Sequence, residues 1–308
     1  MNYTLHQLKV FLEIVDKKSI TKAAESLFLT QPAVSIQLKN FQEQFPIPLT
    51  EVVGKKLYIT DFGQEIADTA KQILIEVETI NHKTYAYQGK LAGQLKLAVV
   101  STGKYVMPYY VSDFLKQHES IDFSMDVTNK QSVVTNLENN EVDFALVSVL
   151  PSHLNLETIP LLRNSLYLVG SSTMINEKKK KKSKIFTEGP LIYREKGSAT
   201  RNAMEMFVEK KNFQSAKKIE LTSNEALKQA VIAGIGYSIM PLIGIKSALM
   251  NKEISIIPYK GLPIETEWNL VWRKEKKLTP IAKAFVDYVR LNKNTIRNKH
   301  FSWIDESI

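Results

Sequence analysis

The sequence predicts an α/β protein overall: an N-terminal winged helix-turn-helix, a long linker helix and a C-terminal α/β domain of two lobes. Three observations carry this prediction. Between Ser19 and Gly63, N-cap residues alternate with apolar positions at helical spacing, and the run closes on a lysine-tipped hairpin pattern. From Ile66 to Tyr87 a largely apolar seam steps by four and three residues in turn. Beyond Gly93, strand patterns alternate with helix patterns twice over, which is the grammar of βαβ units. The expected boundaries are 1–60 for the winged module, 61–90 for the linker helix and 91–308 for the two-lobed domain.

Leu5, Leu8, Phe11, Leu12 and Val15 form the apolar stripe of a first helix that packs under the helix-turn-helix. Ser19 is a good N-cap for a helix of about two turns bearing Ile20, Ala23, Ala24 and Leu27 inward. Phe28 and Leu29 make a turn. Thr30 then caps a longer helix, with Gln31 and Pro32 in its first turn, where proline sacrifices no internal hydrogen bond. Ala33, Val34, Leu38 and Phe41 supply the inward face, and Pro46 and Pro48 end it. Gln31, Ser35, Gln37 and Lys39 are left to point outward, the pattern of a recognition helix that enters the major groove of duplex DNA. Val52-Val53 and Leu57-Tyr58-Ile59 flank Gly54-Lys55-Lys56, so two lysines tip a wing able to reach phosphate or the minor groove. The candidate DNA-binding residues are therefore Thr30, Gln31, Pro32, Ser35, Gln37, Lys39, Lys55 and Lys56.

After Gly63 the seam runs through Ile66, Ala70, Ile73, Val77, Ile80, Thr84 and Tyr87, with Lys71, Glu76, Glu78 and Lys83 beside it. A coiled-coil dimer is the expectation, a homodimer or homotetramer. Leu91-Ala92-Gly93 reads as a linker. The first lobe is then a strand at Leu95–Val100, a helix at Tyr105–Gln117, a strand at Phe123–Thr128, a helix at Val133–Asn139 and a buried strand at Phe144–Val149. The second opens with a strand at Leu191–Tyr193 and continues through a helix at Ala199–Lys210, a strand at Lys218–Leu221, a helix at Glu225–Ala233, a strand at Tyr237–Met240 and a helix after Pro241. The chain returns through Trp268–Trp272 to a final helix at Pro280–Leu291.

In such sheets ligands sit beyond the carboxyl ends of strands, where helix N-termini offer unpaired amides and partial positive charge to an anion. Ser101 and Thr102 come after the first strand, Asn129 and Gln131 after the next, and Ser198, Thr200 and Arg201 open a helix in the second lobe. These seven are the candidate effector-binding residues, and a small anionic metabolite is the expected ligand.

The 308 residues are 44% hydrophobic and 24% charged, an ordinary globular composition with room for two or three cores. With no cysteine, disulfide scaffolds, thiolate metal sites and cysteine nucleophiles are excluded. No leader-like N-terminus or long apolar run is seen, so a cytoplasmic protein without a membrane partner is expected. The net charge of +9 does not itself argue for nucleic acid, because ten lysines and ten acidic residues balance over residues 1–92. Much of the excess lies in the lysine run Lys178–Lys182 and Lys184, which no aromatic residue interleaves and which reads as a solvated loop.

The N-terminal residues carry a family resemblance. Leu8-x-x-Phe11, Ser19-x-Thr21-x-Ala23-Ala24-x-x-Leu27, Thr30-Gln31-Pro32-Ala33-Val34-Ser35, Gly54-Lys55-Lys56 and Thr60-x-x-Gly63 resemble the winged domain of LysR-type transcriptional regulators. The resemblance implies double-stranded promoter DNA as partner, with RNA polymerase a further one. It also implies an effector domain like a pair of periplasmic-binding-protein lobes. Two positions depart from the family pattern and remove cation: Leu49-Thr50-Glu51-Val52 stands where Leu-Phe-x-Arg is usual, and Ile36 where many members carry arginine. In the second half, Thr102-Gly103-Lys104-Tyr105, Arg194-Glu195-x-Gly197-Ser198-x-Thr200-Arg201, Ser223-Asn224-Glu225-Ala226-x-Lys228-Gln229-Ala230-Val231-x-Ala233-Gly234 and Gly261-x-Pro263-Ile264 resemble the CbbR-like regulators of carbon-fixation operons. That branch responds to phosphorylated or carboxylated metabolites.

Catalysis is the rival reading. The five histidines, His6, His82, His118, His153 and His300, are scattered with no partner at metal spacing, and neither a Gly-x-Ser-x-Gly elbow nor a P-loop is present. No cofactor or metal is expected, and no catalytic residue is nominated. A solute-binding or enzymatic α/β protein with an accessory DNA-binding module is the alternative, and a gel shift at varied salt separates it from a promoter-specific regulator.

Overall fold

The computed structural model describes residues 2–54, 56–87, 91–177, 185–213 and 217–306, and of residues 78–79, 81–87, 176–177 and 305–306 the backbone alone. Lys55 and the lysine run at 178–184 therefore lie outside the described residues. The chain divides into two compact units, Met1–Gly89 and Lys90–Ile308.

In the first unit, α1 (Leu5–Lys17) starts on a capping box in which Thr4 Oγ1 accepts from the Gln7 amide while the Gln7 side chain accepts from the Thr4 amide. Leu8, Phe11 and Ile14 form its buried stripe, and Leu5, expected inside, is exposed. Ser19 caps α2 (Ile20–Ser26) and Thr30 caps α3 (Gln31–Gln42), each by accepting from the amide three residues on. Between them Phe28 adopts a left-handed φ of 54° and its side chain stands almost fully in solvent. The wing is β1 (Thr50–Val53) antiparallel to β2 (Lys56–Ile59), with Val53 opposite Lys56 and Gly54 at φ 56° in the turn.

The long helix α4 (Asp61–Tyr87) is tied to the wing at its first turn. Thr60 Oγ1 donates to the Pro48 carbonyl at 2.7 Å and accepts from the Gly63 amide at 2.9 Å. Ala67 and Ala70 are buried in the winged-helix core with Phe11, Val34, Phe41 and Leu49, and Ile66 and Ile73 pack against its edge. The first half of the expected dimer seam is thus spent inside one chain. Val77, half-buried, continues the seam outside that core, and Thr84 and Tyr87 are described as backbone only.

The second unit begins with β3 (Gly93–Val100), a single 3-10 turn at Gly103–Tyr105, α5 (Met107–Gln117), β4 (Ile121–Thr128), α6 (Lys130–Glu138) and β5 (Phe144–Val147). β3 lies parallel to both β4 and β5. Next comes β6 (Leu156–Ser171), sixteen residues long, which the sequence reading did not identify. Its residues Leu156 to Leu166 pair with β11 (Ile264–Arg273), which in turn pairs with β5. Its last residues pair with β9 (Ser238–Pro241) and β10 (Ile254–Ile256). β6 and β11 therefore cross from one lobe into the other. Pro160 interrupts the apolar pattern of β6 and has no amide to donate. The sheet accommodates it at an irregularity, since Trp268 faces Leu162 but Asn269 faces Pro160.

The second lobe adds α7 (Ser172–Glu177), α8 (Ile185–Glu188), β7 (Pro190–Arg194), α9 (Ala199–Lys210), β8 (Lys217–Leu221), α10 (Asn224–Ile232) and α11 (Leu242–Met250). β7 and β8 are parallel, and a bridge from Leu191 to Tyr237 joins them to the β9 edge. The last long helix, α12 (Pro280–Phe301), extends ten residues beyond the expected end because Ile296 and Phe301 are buried across a polar stretch; α13 (Trp303–Glu306) comes after it.

Candidate nucleic-acid face and anion cleft

On α3, Gln31, Pro32, Ile36, Lys39 and Asn40 are exposed and Ser35 is half-buried on the same side. The Thr30 hydroxyl is occupied as the N-cap. Among the described residues Lys39 makes only a long ion pair with Glu43, 3.9 Å between two exposed groups, which leaves it available for phosphate or a base edge. Gln37 was expected to face outward with Gln31 and Ser35. At about 100° of rotation per residue it projects from the opposite flank and is half-buried. Lys56 is exposed at the tip of the wing, opposite Val53, and Lys55, the other expected wing contact, lies outside the described residues. The sequence reading also passed over Ile36 as a site residue, although it lies within the exposed face at 57% exposure.

In the second unit the carboxyl ends of β3 and β7 meet across the lobes. The space between them is about 10 Å³, enough for about one water, and is lined by Ser101, Thr102, Asn129, Lys130, Ser148, Arg194, Glu195, Ser198 and Thr200. Thr102 and Ser198 are buried, at 6% exposure each, and neither hydroxyl closes a cap on its own helix. Asn129 does: its Oδ1 accepts from the Ser132 amide at 2.9 Å and starts α6.

The buried cation of this cleft is Arg194, the last residue of β7 and only 3% exposed. Its Nε and Nη2 each donate to a Glu195 oxygen at 2.8 Å, and Nη2 also donates to Ser101 Oγ at 3.0 Å, the bond that spans the lobes. Nη1 is buried and has no hydrogen-bond partner among the described residues. Lys130 stands on the other wall, its ammonium held below the ordinary lysine value by burial, and among the described residues no carboxylate pairs with it. A buried guanidinium nitrogen left over, a desolvated ammonium and the starts of α6 and α9 converge on one small space. That arrangement suits an anion with more than one charged group.

Two expected effector residues do not line this space. Arg201 Nε donates to Glu205 at 2.8 Å and its Nη1 to the Arg194 carbonyl at 2.9 Å and to Glu220 at 2.5 Å, so its charge is committed to holding α9 on β7 and β8. Gln131 is exposed and rests against Gly197, its Oε1 3.3 Å from where a Cβ would stand. Arg194, Glu195, Lys130 and Ser148 were missed as site residues. Only for Arg194 was a signal visible, a basic residue closing a strand just before a polar helix start.

Comparison with known proteins matches both parts of the chain to described families. The family described as LysR substrate binding domain matches residues 88–292, and that described as bacterial regulatory helix-turn-helix protein, lysR family, matches residues 5–64. The transcriptional activator CmpR of Synechocystis is 36% identical over 290 residues, 94% of this chain and 95% of its own. The RuBisCO operon transcriptional regulator of Acidithiobacillus ferrooxidans is 33% identical over 288 residues, 93% of each chain. Among solved structures, the Synechocystis CcmR regulatory domain in complex with 2-PG matches at a TM-score of 0.60 and 30% identity, covering 65% of this chain and 97% of that one.

Proposed function

The chain belongs to the LysR family of transcriptional regulators, and from that premise we propose that it recognises promoter DNA as a homo-oligomer and takes a small phosphorylated carboxylate between its lobes. Residues 1–60 serve as the winged DNA-binding domain, 61–90 as the linker that pairs two chains, and 91–308 as the effector domain. α3 and the wing meet the duplex. The effector's anionic groups meet Arg194, Lys130, Thr102 and Ser198. The single observation that carries the effector reading is Arg194 Nη1, a buried charged donor with no acceptor among the described residues, since leaving such a group unpaired is costly and an incoming oxyanion removes the cost.

The chemistry of the relative's ligand, 2-phosphoglycolate, supports this reading: a phosphoryl group and a carboxylate match two cations on facing walls. The cleft holds only about one water's worth of space, so such a ligand requires the lobes to part and re-close around it. Its preference between those two arrangements is all that can shift DNA binding. We assign the chain no catalytic step, a reading supported by relatives that carry the names of transcription regulators. Among the described residues no helix is long and apolar enough to cross a membrane.

The test is Thr102→Val assayed by gel shift with and without 2-phosphoglycolate. The variant should keep wild-type DNA affinity and lose the response to the anion. A normal response in the variant removes Thr102 from the site, and a wild type that binds no DNA removes the whole reading.

A further inference from the structure

The recognition helix presents one large apolar side chain to the place where base edges would lie. Ile36 is 57% exposed, and it belongs neither to the winged-helix core nor to the residues packed around that core. Its helix gains nothing from it, because a β-branched residue is a poorer helix former than the straight-chain residues that usually fill exposed positions. A single exposed apolar residue is ordinary on a protein surface. This one, however, sits between Pro32 one turn before and Asn40 one turn after, beside Ser35 and Lys39, on the side of α3 that carries its exposed polar groups.

Resting on the DNA-binding reading, we propose that Ile36 is a specificity-determining residue that packs on the C5 methyl of a thymine in the major groove. The chemistry leaves little choice. Each base pair shows hydrogen-bond donors and acceptors in the major groove, and the thymine methyl is the one apolar group among them. An isoleucine pressed on a G·C pair would strip water from polar atoms and return no hydrogen bond. Against thymine the same contact buries methyl on methyl. The operator should therefore carry an A·T pair opposite the middle of α3, within one helical turn of the position that Gln31 reads.

The experiment uses the full chain and a pool of random duplexes. The enriched sequence is resynthesised with deoxyuridine replacing thymidine one position at a time, which deletes the methyl and leaves base pairing intact. At one or two positions per half-site, uracil should weaken wild-type binding about four-fold, the effect of one buried methyl. Ile36→Ala should bind more weakly overall and be indifferent to uracil at those same positions. Ile36→Arg should select guanine there. Because Ile36 is exposed, both variants should retain wild-type helix content by circular dichroism. A wild type indifferent to uracil everywhere, or an Ile36→Ala chain with undiminished uracil sensitivity, overturns the proposal. A wild type that enriches no sequence overturns the DNA-binding reading together with it.

Discussion

Arg194 and Glu195, neighbours in sequence, form a two-pronged ion pair: Nε to Oε2 and Nη2 to Oε1, both at 2.8 Å, with the guanidinium buried. The carboxylate thus holds two faces of the cation in the cleft and leaves Nη1 over. Any anion entering the cleft shares Arg194 with Glu195 and meets its negative charge.

Removing that competitor should strengthen the site. Glu195→Gln keeps the side chain's shape and one acceptor but deletes the charge, so 2-phosphoglycolate should bind roughly ten-fold more tightly, about 1.4 kcal/mol. Isothermal titration of both chains measures it. Weaker binding in the variant would mean that Glu195 positions Arg194 more than it opposes the ligand.

DNA contacts divide into those that read sequence and those that hold backbone. Gln31→Ala should lower affinity for the selected duplex by about 1–3 kcal/mol and relax preference at one base position. Lys56→Ala should weaken every duplex alike and reduce the salt slope by about 1. Competition binding against single-base variants of the duplex distinguishes the two outcomes.

Gly63 holds the wing to α4. A Cβ there would stand 2.0 Å from the Leu49 carbonyl oxygen and 2.9 Å from its carbon, and both are backbone atoms fixed by the Thr60 amide bond to the same carbonyl. Gly63→Ala should destabilise the first unit by about 3 kcal/mol, the upper end for a residue forced into a filled space. A calorimetric melt should show that transition falling while that of the second unit stays in place.

The linker helix makes a prediction of its own. Ile66, Ala70 and Ile73 are engaged by their own chain, so pairing between chains falls to the seam from Val77 onward. Val77→Asp should shift the chain toward monomer in analytical ultracentrifugation at micromolar concentration and leave the melt of the first unit unchanged. A stable oligomer in that variant would place the interface elsewhere.

Local chemistry made most elements readable from the residues alone. Ser19 and Thr30 do cap the helices that come after them, and Gly54 does turn the wing, because each feature depends only on residues two or three positions away. β6 was not readable: Pro160 and Arg163 break its pattern, and its register is set by β11, about a hundred residues later. The cleft was half readable. Helix starts announce themselves locally, so Thr102, Asn129 and Ser198 were found. Whether a cation is free depends on partners from other elements, which is why Arg201 was chosen although Glu205 and Glu220 occupy it, and Arg194 was not. On α3 polarity alone is a poor guide to the outward face: Gln37 is polar, yet at about 100° per residue it turns to the flank opposite Gln31 and Ser35 and is half-buried.

Whether Arg194 makes the cleft an anion site is settled by titration calorimetry of the full chain with 2-phosphoglycolate, with wild type set beside Arg194→Met. The wild type should bind one anion per chain, and the variant, which keeps much of the buried volume without the charge, should bind at least a hundred-fold more weakly while still shifting the same duplex in a gel. Equal binding by the two chains, or no binding by the wild type, would contradict the claim.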